Sequence, residues 1–325
     1  AIEGSTVAGR ALEPLPFDGR KLGSLFALVR PPIPEFTVLG GMMVDRTDIN
    51  HLLGMTRSFA SLLHSARILL RHAGDRLRHP RGTRLVMGNA LVARLLHSLA
   101  QHDRVTLVTR CDVAALELRE GRVDTVTLVQ RGQRRTLRAT RAIVLASGGF
   151  NRHPTRRAEM LPDADAAWCP GAPGHTGAAH DLALAIGARY GDGSLSNAFW
   201  APVSIRRRRD GSHAVFPHFL MDRAKPGMIT VNASGRRFVD ESTSYHLFAL
   251  AMQAPQSRSV PAYLICDADA LRRYGVGMVR PGGKGLGPFL ADGYLTQGAT
   301  LEQLAKKLGI DATTLGDSVS RNNRY

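Results

Sequence analysis

The chain has 325 residues, 44% of them hydrophobic, with 43 Lys and Arg against 27 Asp and Glu for a formal charge of +16. That length and apolar fraction support one large packed domain or two ordinary ones, which excludes disorder over the whole chain. No apolar run approaches the roughly 18 residues of a spanning helix, so a membrane span is excluded as well.

The charge invites a nucleic-acid reading, and its origin argues against one. Only five of the 43 basic residues are lysines, which leaves 38 arginines, the pattern of a GC-rich coding sequence. The arginines run from Arg10 to Arg324 instead of gathering on one helix, and an aromatic content of 6% supplies few stacking platforms. Cys111, Cys169 and Cys266 form no CxxC pair and lie near no histidine at ligand spacing. They are expected to be buried inert thiols of a protein in a reducing cytoplasm, with no structural metal.

Residues 1–44 read as irregular, broken by Pro14, Pro16, Pro31, Pro32 and Pro34. Over 45–79, Leu52, Leu53, Met55, Phe59, Leu62, Leu63, Ile68 and Leu69 recur near helical spacing, which predicts one or two helices ended by Pro80. A turn at 81–84 precedes Gly88-Asn89, which opens an amphipathic helix with Leu91, Leu95, Leu96 and Leu99 on one face. Strands are predicted over 105–109, 113–118, 123–129, 135–138 and 142–146, a β-meander ending in a buried strand. That strand leads into Ser147-Gly148-Gly149-Phe150. Pro173-Gly174-His175-Thr176-Gly177 then feeds a helix over 178–188, a geometry suited to anions.

Further on, 206–209 with Asp210-Gly211 is expected at a solvated hairpin tip, since four adjacent arginines cannot share a core. Segments 228–231 and 237–239 flank Ser234-Gly235 as a second hairpin, and 263–266 is a short buried strand. Thr300 and Gln303 form a capping box for a helix over 301–308. A last helix starts near Asp311, carries Leu315 and Val319, and reads as unfinished at Tyr325. No GxSxG, Walker or HExxH motif occurs, and no strand-GxGxxG-helix unit.

Two segments together carry a family resemblance. The first is Ile143-Val144-Leu145-Ala146-Ser147-Gly148-Gly149-Phe150-Asn151, with Pro173 to Gly177 and Ala185-Ile186-Gly187-Ala188 behind it. The second is Gly227-Met228-Ile229-Thr230-Val231-Asn232, continuing through Gly235-Arg236-Arg237-Phe238-Val239-Asp240-Glu241 to Tyr245. They resemble the flavoprotein family that contains fumarate reductase, succinate dehydrogenase and 3-ketosteroid Δ1-dehydrogenase. The resemblance runs from about Arg81 to Tyr325 and takes in Gly88-Asn89-Ala90-Leu91.

It implies an α+β protein of the α/β family. Residues 1–197 would be the remainder of an FAD-binding domain with its β-meander, and 198–325 a capping domain. It implies FAD as cofactor of the intact protein, with Ala146, Ser147, Gly148, Gly149, Thr176 and Gly177 near it and Asn89 either a further cofactor contact or a plain helix N-cap. The family's GxGxxG unit and closing segment are missing, so the chain reads as the interior of a longer flavoenzyme. Fumarate reductases place an arginine proton donor near Tyr245 and a histidine in a His-Pro-Thr segment where this chain reads Ala201-Pro202-Val203. A tyrosine at the first position is similar to the ketosteroid dehydrogenases, in which it takes a proton beside the ketone while hydride leaves the neighbouring carbon for the flavin. The resemblance thus implies a hydrophobic, steroid-like ketone substrate and Tyr245 as catalytic base. His246, Arg236 and Arg237 are available to favour its ionised form, although such arginines are more often salt-bridged at the surface. A fumarate- or succinate-type oxidoreductase and a non-catalytic binding domain are the alternatives. The electron acceptor is not specified.

Overall fold

The fold was read from a computed structural model, which describes residues 13–161, 164–191, 196–208, 210–257 and 259–324. The chain divides into two compact units, Ala1–Leu107 and Val108–Tyr325.

The first unit is built around the segment expected to be irregular. Strand β1 (Phe17–Asp18) is followed by a 3-10 helix over Gly19–Leu28, and β2 (Thr37–Val38) pairs antiparallel with β3 (Met42–Met43). Two predicted helices form: α1 (Arg46–Leu53), closed by a reciprocal capping box between Asp45 and Asp48, and α2 (Phe59–Arg78), ended before Pro80. Strand β4 (Arg84–Leu85) pairs with β1, and α3 (Met87–Leu99) follows. The prolines hid a core, because Phe17, Leu22, Phe26 and Val29 pack with Met43, Leu85, Val86, Ala90 and Ala93. Helix α3 is correspondingly turned from the expected face. Ala90 and Ala93 are buried and Leu96 packs beside them, while Leu91, Leu95 and Leu99 face outward.

In the second unit β5 (Cys111–Arg119), β6 (Arg122–Gln130) and β7 (Gln133–Arg138) form the expected meander, each pair antiparallel. The predicted strands at 105–109 and 142–146 do not form, and the latter is not buried: Val144 is 84% exposed and Leu145 45%. An extended apolar segment becomes a strand only where a neighbour satisfies its backbone, and neither finds a strand partner among the described residues. Helices α4 (Pro154–Met160) and α5 (Ala178–Ala185) follow, the second shorter than predicted.

Strands β8 (Val203–Arg207) and β9 (His213–Pro217) make the arginine hairpin, leading into the single turn α6 (Leu220–Arg223). Arg206 is not solvated as expected. It pairs with Asp292 at 2.6 Å, with its guanidinium over the Phe289 ring. Arg209 lies outside the described residues.

Strand β10 (Met228–Val231) precedes α7 (Tyr245–Gln253). Its ladder partner is β11 (Tyr263–Cys266), while the expected partner 237–239 contributes only a bridge between Val231 and Arg237. Helices α8 (Ala268–Tyr274), α9 (Gly287–Ala291), α10 (Leu301–Leu308) and α11 (Ala312–Asn322) complete the unit. Ile229, Val231 and Ile265 pack with Ala305, Ile310 and Leu315 to form its core. Of the expected capping box, Thr300 accepts from Gln303, whose side chain reaches Ala299 instead of Thr300. Asp311 caps α11, which ends at Asn322. No described helix is long and apolar enough to cross a membrane.

Candidate active site

Tyr245 is the first residue of α7, and the chain leading to it is held from below. Glu241 is buried, accepts the Thr230 N–H of β10 at 2.7 Å and pairs with Arg237, while Arg236 is exposed. Arg223, only 1% exposed, is the centre of the arrangement. Its guanidinium donates to the backbone carbonyls of His218, Glu241 and Thr243 and lies 4.2 Å from the Phe248 ring centroid. A buried guanidinium spending its fork on carbonyls fixes backbone positions, because each acceptor would otherwise be left unsatisfied. Ser244 caps the helix through the Leu247 N–H. The Tyr245 ring then stands 41% exposed, edge-on to Phe219 with centroids 5.4 Å apart. His246 accepts the Trp200 N–H on Nδ1 at 3.1 Å, and its ring tilts against Phe199.

Behind Phe219 lies a chain of polar side chains. Asp222 bonds His218 Nδ1, His218 Nε2 meets Ser204 Oγ at 2.7 Å, and Ser204 Oγ meets the Tyr294 hydroxyl at 2.7 Å. Met278 N–H donates to the Tyr294 oxygen at 3.0 Å and Gly277 N–H to Asp222 at 3.1 Å. Burial alone would raise the Asp222 carboxyl. The hydrogen bond and charge of His218, the charge of Lys225 and the Gly277 N–H outweigh it and hold the group below the usual carboxylate range. Burial raises the Tyr294 phenol, so it keeps its proton. Sequence reading missed Arg223 and this chain of side chains. The one local signal was the i,i+4 spacing of His218 and Asp222; the other members meet only by folding.

The expected flavin neighbours of the second unit are brought together. The Arg152 N–H donates to the His175 carbonyl at 2.9 Å, and the His175 ring lies so close to Gly148 that a Cβ there would meet it at 2.6 Å. Gly148 and Gly177 both have positive φ, and Gly177 is buried as the N-cap of α5. Ala146, Ser147, Gly148 and Thr176 are exposed, Gly149 half-buried. Arg156 reaches Asp181 at 2.5 Å with one nitrogen, while its other terminal nitrogen, buried beside Gly177, has no partner. Asn89 belongs to the first unit. It is not the N-cap of α3, which is Val86, and its side-chain amide donates to the Arg30 carbonyl at 2.8 Å.

Of the cysteines, Cys169 is buried as expected, whereas Cys111 and Cys266 are half-buried; burial and Asp267 push the Cys266 thiol up to about 11. Among the described residues no three His, Cys, Asp or Glu side chains are grouped to hold a metal.

The chain is 34% identical over 331 residues to 4-oxocyclohex-2-ene-1-carboxylate 5-dehydrogenase of Sinomonas cyclohexanicum, covering 99% of this chain and 55% of that protein. It is 29% identical to 3-oxosteroid 1-dehydrogenase of Mycolicibacterium smegmatis, covering 99% and 57%. Its fold is similar to the crystal structure of 3-ketosteroid Δ1-dehydrogenase from Sterolibacterium denitrificans in complex with 1,4-androstadiene-3,17-dione, with a TM-score of 0.75 and 32% identity over 96% of this chain and 57% of the other. The chain thus spans somewhat more than half the length of these relatives. The family described as FAD binding domain matches residues 4–324, and the chain belongs to that flavoprotein family.

Proposed function

We propose that the whole protein is an FAD-dependent dehydrogenase that introduces a double bond beside a ring ketone of a hydrophobic substrate, with Tyr245 as the base. The observation that carries this reading is the placement of Tyr245. A half-exposed phenol sits at a helix N-terminus behind a buried arginine clamp, at the end of the Gly235-Arg236-Arg237-Phe238-Val239-Asp240-Glu241 run. Both relatives named above couple an oxo group on a ring with dehydrogenation of that ring. In this reading Tyr245 takes the proton from the carbon next to the carbonyl. Phe219 offers the substrate an apolar edge beside the phenol.

The residues of the glycine loops suit an anionic cofactor. Ser147 and Gly148 are exposed, Gly177 opens α5, and the unpartnered N–H of Arg156 lies beside it. FAD held by Ala146, Ser147, Gly148, Gly149, Thr176 and Gly177 would supply the hydride acceptor. The division into a flavin-binding part over 1–197 and a capping part over 198–325 belongs to this proposal.

The test is to purify the full-length protein, look for flavin absorbance and follow its bleaching by 4-androstene-3,17-dione. Replacing Tyr245 with Phe should lower turnover by about 10²- to 10⁴-fold with the fold intact. Wild-type rates in Y245F would remove it from the mechanism. Reoxidation of the reduced protein by fumarate without bleaching by ketones would favour a dicarboxylate oxidoreductase. A colourless protein that FAD does not stabilise would favour a non-catalytic binding domain.

A further inference from the structure

The side-chain chain behind Phe219 is continuous from Asp222 to Tyr294. Asp222 is an ionised acceptor, so His218 donates to it from Nδ1. His218 Nε2 in turn meets Ser204 Oγ at 2.7 Å. Ser204 Oγ meets the Tyr294 hydroxyl at 2.7 Å, and the Tyr294 oxygen accepts from Met278 N–H. At the Asp222 end, Gly277 N–H donates to the second carboxylate oxygen and Lys225 stands at 3.5 Å. The chain ties β8, the corner after β9, α6, the turn at 277–278 and the segment after α9 into one unit with no free polar end among these groups.

His218 reaches Tyr245 by two routes. Its carbonyl accepts from Arg223, whose other donors hold Glu241 and Thr243, the residues leading into the α7 cap. Its successor, Phe219, supplies the ring against which the Tyr245 phenol stands. We propose that His218, oriented by Asp222 and Ser204, is a positioning residue that sets the attitude of the Tyr245 phenol through Phe219 and Arg223. The kinetic part of this proposal rests on the dehydrogenase reading; the geometric part does not.

Both parts can be tested on the same variants. His218→Asn keeps a donor for Asp222 and gives up the link to Ser204; Ser204→Ala cuts the same link with a smaller change of volume. 3-Fluorotyrosine labelling of the full-length protein reads both phenols, with the Tyr245 and Tyr294 lines assigned by their Phe variants. Both variants are expected to move the Tyr294 line, which reports that the chain is broken, and the Tyr245 line with it. In the full-length enzyme with 4-androstene-3,17-dione, kcat should fall about tenfold to a hundredfold with KM unchanged, because the phenol is misplaced while binding contacts survive. The double variant should cost no more than either single one. A Tyr245 line that stays put while the Tyr294 line moves overturns the proposal, as does no movement of either. If the enzyme ignores the steroid, the spectra alone decide. Wild-type turnover by Y245F would defeat the dehydrogenase role of Tyr245 while leaving the spectral result standing.

Discussion

The glycine loops and the Tyr245 clamp lie in the same unit and are built on opposite principles. In the clamp, polar groups close on one another: Arg223 spends its donors on three carbonyls, Glu241 holds a strand N–H, and the Tyr294–Asp222 chain leaves no end open. Around Ser147–Gly148 and at Thr176 the chain is exposed, Val144 and Leu145 are exposed as well, and an Arg156 N–H lacks a hydrogen-bond partner. A closed network holds a side chain in one attitude whether or not anything is bound. An open one has its polar and apolar needs left for something outside it to meet, which fits a cofactor-contacting region and not a self-sufficient one.

Substitutions should break this contrast in a graded way. Arg223→Met strands three carbonyls, that of buried Glu241 among them, and should cost the fold about 3 kcal/mol, read from denaturant midpoints at constant m value. Gly148→Ala places a Cβ against the His175 ring at a positive φ, and a cost of about 1–3 kcal/mol together with reduced FAD content of the purified full-length protein is expected. An unchanged flavin content would take Gly148 out of the cofactor site.

Asp222→Asn should cost about 1–3 kcal/mol at neutral pH. A carboxyl held low in the folded state stabilises it above the unfolded pKa and loses that contribution as pH falls through the folded value. Acid unfolding should therefore steepen below about pH 4 in the parent and be flatter in the variant. Val144→Asp, on an 84% exposed side chain, should leave the stability of this chain within about 0.5 kcal/mol. A large loss there would mean that 142–146 is covered after all, and the comparison would fail on its open side.

Much of the secondary structure could be read directly. The meander, α1 and α2, and the caps at Asp311 and Thr300 follow from alternation, helical spacing and short-range hydrogen bonding, and the structure has them. The strands at 105–109 and 142–146 failed because apolar alternation reports only that a segment could pair, and pairing needs a partner. Helix α3 was turned because Leu91, Leu95 and Leu99 outweigh Ala90 and Ala93 in any hydrophobic count, yet only small residues let the helix approach Phe17, Phe26 and Val29 closely.

By itself the sequence determined the family, through ordered motifs whose glycines and polar residues are local, and it singled out Tyr245 by its place in one of them. Only the tertiary structure decided what stands around that phenol. Arg223, His218, Ser204 and Tyr294 come from separate elements, and a hydrogen-bond network between elements leaves no periodicity in the chain to betray it.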